Sequence, residues 1–201
     1  MDLFKKEMVP IIMNIDRRMT KLNLLFVFAI FWLQTPLSHA LPLPTPGEFT
    51  IKQVSSQKIL YVHHTFGDGH ISNSVVKLVQ YYLLNANDNY QVVFPQMSIE
   101  RSDIQGSYVA IGYKGNPAET DIVKTMELKG GLVASYIYKG SYTQIGKAIR
   151  GVFRRAVDTH KYIPAANGEI RLLYWNSIDD NQPENLITEI QVRIEKLGSF
   201  R

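Results

Sequence analysis

Two stretches of this chain carry the same apolar stripe, displaced by 74 residues. Ile71, Val75, Leu78, Val79, Tyr82 and Leu83 form the first, and Ile145, Ile149, Val152, Phe153, Ala156 and Val157 form the second. Each set follows the i, i+4, i+7, i+8, i+11, i+12 spacing that lines up along one face of an α-helix. A unit of this size cannot bury its own apolar face, so the two copies must share a core. The chain therefore reads as a duplication with a seam, and a seam is a natural place for a ligand.

The residues around each stripe set the order of elements. Lys58 to Thr65 (KILYVHHT) is β-prone and ends at the turn signal Gly67-Asp68-Gly69. A helix over about 70–85 follows, then strands over 91–100 and 107–113, with Pro95 placing the first at an edge or a bulge. Residues 114–120 join the halves. The segments 121–127 and 131–138 are β-prone, and Ser141 with Gln144 forms a capping-box pattern that opens the second helix. Strands over 169–176 and 186–195 complete the chain, separated by a polar loop. The fold class this predicts is α+β: a tandem βαββ repeat, an antiparallel sheet with two helices packed on one face. In the last strand Thr188, Ile190, Val192 and Ile194 share the face suited to helix packing. Glu189, Gln191 and Arg193 share the other, which must be solvated or lined for a ligand.

The N-terminus reads as a targeting segment. Lys21 precedes the uncharged run Leu22 to Leu33, and Pro36 and Ser38-His39-Ala40 follow. That run has the length of a signal-peptide core and falls short of the ~20 residues that span a bilayer. The expectation is a signal peptide over 1–40, cleaved after Ala40, with Met19 as an alternative start and an uncleaved anchor as the membrane-bound alternative. Residues 41–48 then form a proline-rich tether, and 49–201 the folded domain, with halves at about 49–115 and 120–196. Without residues 1–40 the chain keeps 17 basic and 15 acidic side chains, a net of +2. That balance gives no footprint for nucleic acid. The absence of cysteine removes disulfides, thiolate metal sites and cysteine nucleophiles.

Three segments resemble the GyrI-like small-molecule-binding domain, the effector-binding half of AraC-type and MerR-type multidrug regulators. Lys129 to Tyr142 (KGGLVASYIYKGSY) looks like that family's Gly-Gly strand and its basic-Gly-x-Tyr turn. Tyr174 to Asn176 looks like its Tyr-x-Asn strand end, and Pro183 to Ile194 (PENLITEIQVRI) like its closing strand. His64 to Gly67 is a weaker echo in the first half. The resemblance spans about 49–196 and implies an SHS2-like fold and binding of flat, apolar, often cationic molecules between the halves. Some similar proteins hydrolyse cyclopropane-bearing toxins, which keeps an enzymatic reading open. Many relatives place an acid two positions before the motif tyrosine; here that position is Leu172.

Glu189 is the leading candidate site residue, since a carboxylate on a sheet face among aromatics calls for a partner and an apolar cation would supply one. Tyr174, Trp175, Tyr136, Tyr138 and Tyr108 are the candidate walls. Alternation puts Tyr136 and Tyr138 on one face, and Tyr174 and Trp175 on opposite faces. His63, His64 and His70 with Asp68 invite a metal, but adjacent strand histidines point apart, so no metal and no cofactor are expected. Lys147, Arg150 and Arg154 form a solvated stripe on the second helix. The sequence holds no phosphate loop, Ser-His-Asp spacing or paired-carboxylate signature. The expected partner is a hydrophobic or cationic small molecule, in a periplasmic or secreted protein of undetermined oligomeric state. The alternatives are a hydrolase with Glu189 as general base, and an inhibitor module that docks on a protein.

Overall fold

The offset that relates the two stripes also relates the strands before them. In a computed structural model, which describes residues 42–65, 67–85, 89–159, 161–176 and 182–198, strand β2 (Gln57–His64) is matched 74 residues on by β6 (Gly131–Lys139). Helix α1 (Ile71–Asn85) is matched by α2 (Ile145–Asp158). Each half then adds two strands: β3 (Tyr90–Glu100) and β4 (Ser107–Gly115) in the first, β8 (Ile170–Tyr174) and β9 (Ile187–Lys196) in the second. The remaining strands are β1 (Phe49–Val54), β5 (Lys124–Leu128) and the short β7 (Tyr162–Pro164). The expected signal segment lies outside the described residues. Among the described residues no helix is long and apolar enough to cross a membrane.

All pairings are antiparallel, and the sheet runs β1-β6-β9-β8-β3-β4-β2-β5, with β7 paired to the far end of β9. The halves meet where β3 pairs with β8. That register is centred on Ser98 opposite Leu172, two residues that are themselves 74 apart, so a pseudo-twofold axis passes between them. Each half's outer strand takes an extra neighbour from outside the repeat: β1 on β6, and β5 on β2. The tether joins this pairing early, because Gly47 N–H donates to Ile137 O (2.8 Å) and Ile137 N–H to Glu48 O (3.0 Å).

Both helices pack on one face, but each buries its stripe over its own half's strands rather than in the shared core that the duplication led us to expect. Leu78 and Tyr81 of α1 are buried with Leu60, Val62, Val109 and Ile111; Val152 and Ala156 of α2 are buried with Ala134, Leu172, Ile190 and Val192. A fully buried aliphatic side chain of this kind contributes about 1.5–3 kcal/mol. The ends of the stripes do not reach the sheet: Leu83 and Val157, one repeat apart, are both exposed. Ser141 caps a 3-10 turn at Tyr142–Gln144 rather than α2 itself, accepting from Thr143 N–H at 3.3 Å. The helix proper starts one turn later.

The other face is concave, for a metric reason. Six inter-strand steps separate β1 from β2, about 29 Å in a flat sheet at ~4.8 Å per step. Only Ser55 and Ser56 connect them, and Val54 to Gln57 can reach about 11 Å. Lys129 and Gly130 join β5 to β6 under the same constraint. The edges must therefore curl toward one another until the two connections cross. They cross in contact: a Cβ on Gly130 would lie 2.6 Å from Val54 O and 2.7 Å from Ser56 N. The expectation of an open or ligand-lined face becomes a cup. Ile59, Met97, Ile99, Ala110 and Leu128 are buried inside it.

Candidate functional site

Inside the cup the two halves have diverged at equivalent positions. Tyr108 pairs with Ile99 in the first half as Glu189 pairs with Leu173 in the second. Tyr61 opposite Ala110 corresponds likewise to Ser135 opposite Gln191. The first half presents aromatic surface: the Tyr61 and Tyr108 rings are 4.6 Å apart, and the His63 ring meets Tyr108 edge-on at 5.3 Å. The second half presents a polar cluster, and Glu189 is its centre.

Glu189 is 3% exposed. Ser135 Oγ donates to its Oε1 at 2.8 Å, Gln191 Nε2 at 2.7 Å, and Lys52 Nζ stands 2.8 Å from the same oxygen. Among the described residues no donor meets Oε2. Burial works against the charged carboxyl, but the hydrogen bonds from Lys52, Gln191 and Ser135 outweigh it and hold the group below its ordinary range. Lys52 reaches in from edge strand β1, and its side chain is 43% exposed.

A second buried pair braces the crossing connections. Arg171 Nε and Nη2 donate to Glu169 Oε1 at 2.8 and 2.5 Å, and Nη2 also donates to Lys129 O at 2.6 Å. Arg193 Nη1 lies 3.9 Å from the same Glu169 oxygen and donates to Lys129 O at 3.3 Å. Against Arg171 lies a cavity of about 360 Å³, lined also by Gln57, Met97, Leu128, Leu173 and Gln191 with the Val54–Ser56 connection. Glu189 stands directly behind its lining, bonded to Gln191 and paired with Leu173. The volume is in the range of small-molecule sites.

Of the candidate aromatics, the structure brings Tyr108 into the cup with Glu189. Tyr136 and Tyr138 lie on the opposite face of the sheet, beside α2, because Tyr136 pairs with Ile190 and shares its side. Tyr174 is on that face too: its hydroxyl lies 2.8 Å from Ser98 Oγ at the pseudo-twofold axis, and its ring meets Tyr142 edge-on at 5.5 Å. Burial raises the Tyr174 phenol above its ordinary range. Trp175 follows β8, with its indole N–H buried and without a hydrogen-bond partner among the described residues. His63 and His64 do point apart, to Gln105 O (3.0 Å) and to Ser74 Oγ (3.1 Å). Among the described residues no group of three or more His, Asp or Glu side chains stands close enough to hold a metal. Lys147, Arg150 and Arg154 are exposed.

Sequence reasoning missed Lys52, Ser135, Arg171 and Gln57. Alternation did place Gln191 on the face of Glu189; no local signal marks the others, which arrive from different strands.

The fold is shared by solved proteins of low sequence identity. The C-terminal domain of EcmrR matches with 17% identity over 76% of this chain and 100% of that one, at a TM-score of 0.53. EcmrR in its DNA complex matches with 15% identity over 98% and 73%, at 0.57. A hydrolase from Listeria innocua matches with 12% identity over 76% and 94%, at 0.55. No curated protein matches the chain in sequence. The model of the GyrI-like small molecule binding domain matches residues 47–195, the whole folded repeat, and this chain belongs to that family.

Proposed function

We propose that the chain binds a flat, hydrophobic molecule carrying a positive charge, held inside the cup with the charge against Glu189. One observation carries this reading: a buried, ionised carboxylate, with its three protein donors gathered on Oε1, stands behind the Gln191 and Leu173 wall of a cavity. Apolar surface for the ligand comes from Met97, Leu128 and Leu173 of the cavity wall, and Tyr61 and Tyr108 pack against the same apolar cluster. The charge balance decides how a cation enters. Glu169 is already paired with Arg171, and Glu189 with Lys52. A cationic ligand therefore takes the place of Lys52, whose half-exposed ammonium can return to water at little cost.

The test is equilibrium binding of the cationic dye rhodamine 6G and a neutral coumarin dye to the full chain and to Glu189→Gln. Loss of a desolvated charge pair weakens rhodamine 6G about tenfold, roughly 1.4 kcal/mol, and leaves the coumarin unchanged. Equal affinity of both proteins for rhodamine 6G would overturn the reading.

The hydrolase alternative needs Glu189 as a general base. A carboxyl held below its ordinary range is a weak base at neutral pH, which favours binding without turnover. Incubation with a strained-ring electrophile, followed by mass spectrometry of the ligand, separates the two: recovered intact ligand supports binding, and a hydrated product supports catalysis. Residues 1–40 are proposed to export the domain. Residues 1–45 fused to a reporter that works only outside the cytoplasm would give signal if so, and none if the segment is retained.

A further inference from the structure

The repeat provides an internal comparison for a second cavity, on the helix side of the sheet. In the first half the flank of α1 is closed by the protein itself. Tyr81 is buried there, its hydroxyl donates to Ala118 O, and Val123 packs in the same cluster. One repeat on, the position of Tyr81 is Arg155 and that of Lys77 is Gly151. The corresponding flank of α2 is open, a cavity of about 400 Å³ lined by Tyr136, Tyr138, Gln144, Lys147, Gly151 and Arg155.

Three features make this more than a surface dent. Gly151 sits inside a helix, where glycine is disfavoured, and a Cβ there would meet nothing within 4 Å. Backbone geometry does not require glycine at that position, so its effect is to leave the cavity floor bare. Its neighbours one turn away on the same helix face are Lys147 and Arg155. No carboxylate pairs with either cation among the described residues. The Arg155 guanidinium instead lies 5.6 Å from the ring centres of both Phe49 and Tyr136, which holds its head at the rim. The Tyr138 wall is fixed as well: its hydroxyl donates to Ser141 O at 3.0 Å, and its ring lies against Gly140, where a Cβ would come within 2.5 Å of the phenol oxygen.

We infer that this groove is a second binding site, for a planar aromatic anion, separate from the cup and on the opposite face of the sheet. An aromatic ring takes the volume that Tyr81 fills in the first half. A carboxylate or sulfonate takes the two unpaired cations, and the lining contains no acid to oppose it. The inference does not depend on the ligand of the cup.

Calorimetric titration of the full chain with naphthalene-2-carboxylate, and with the neutral naphthalene-2-methanol, tests it. Binding of the anion is expected to weaken about tenfold or more in Gly151→Leu, which fills the floor, and about fivefold in Lys147→Gln and in Arg155→Gln. The neutral alcohol should bind the wild-type chain about tenfold more weakly than the anion. Rhodamine 6G affinity should be unchanged in all three variants. Gly151→Ala should raise the melting temperature while still weakening the anion, a split that a purely structural glycine would not give. Anion affinity within twofold of wild type in Gly151→Leu and Arg155→Gln, equal binding of the alcohol, or no binding to the wild-type chain would each overturn the inference.

Discussion

Lys52 Nζ stands 2.8 Å from Oε1 of Glu189, and the two residues belong to different parts of the repeat. Glu189 lies on the second half's closing strand, whereas Lys52 arrives on β1, which precedes the first half and pairs across to β6. An ion pair between an outside strand and the centre of the cup acts as a built-in competitor for any cation. Lys52→Ala is therefore expected to tighten rhodamine 6G about three- to tenfold, with no change for the neutral coumarin, by fluorescence anisotropy. Weaker cation binding in Lys52→Ala would show that the lysine supports the ligand rather than opposing it.

The acid limb of binding follows from the same carboxyl. Burial alone would raise Glu189, and the donors from Lys52, Gln191 and Ser135 reverse that, so its folded value lies below the ordinary 4.5. A carboxyl lowered on folding contributes stability above its unfolded value, and that contribution disappears as pH falls through the folded value. Rhodamine 6G binding should be flat from about pH 8 to pH 5 and fall below about pH 4.5. Denaturant titrations should show a shallower acid loss of stability in Glu189→Gln than in the wild type. A binding midpoint near neutrality would place the titrating group elsewhere.

Arg171 tests the brace behind the cavity. Arg171→Met leaves Glu169 buried without its main partner and should cost about 3–5 kcal/mol in urea unfolding, because an uncompensated buried charge is the expensive state. The double change Glu169→Leu with Arg171→Met should cost less than the single one. Additive losses would mean that the two residues act independently.

Both helices and the six strands of the βαββ repeat were legible in sequence because each depends on local periodicity, whereas β1 and β5 each pair with the half opposite to the one their position suggests. The match of β6 to β2 and of α2 to α1 follows from one offset. What stayed hidden depends on partners distant in sequence. FTIKQV of β1 reads as a lead-in to the first half, yet it pairs with the second, and nothing in six residues specifies that choice. Alternation gave the parity of Tyr136, Tyr138 and Tyr174 within their own strands, but only the register of β6 and β8 against β9 puts them beside Ile190 rather than Glu189. Burial of Glu189 was illegible for the same reason: it comes from the curl that two-residue connections impose.

That curl makes its own prediction at Gly130. An alanine there would drive a Cβ to 2.6 Å from Val54 O and 2.7 Å from Ser56 N, both backbone atoms of the crossing connection. Gly130→Ala should destabilise the fold by about 1–3 kcal/mol and loosen the cup, raising amide exchange at Ser55 and Ser56. A neutral effect on stability would mean that the connections do not press on one another.

The most direct measurement is a crystal structure of the full chain with rhodamine 6G bound. The dye should lie inside the cup against Met97 and Leu173, with its charged edge within reach of the Glu189 carboxylate and the Lys52 ammonium turned out to solvent. A dye bound outside the cup, with Lys52 still on Oε1 and the cavity beside Gln191 unfilled, would contradict that placement.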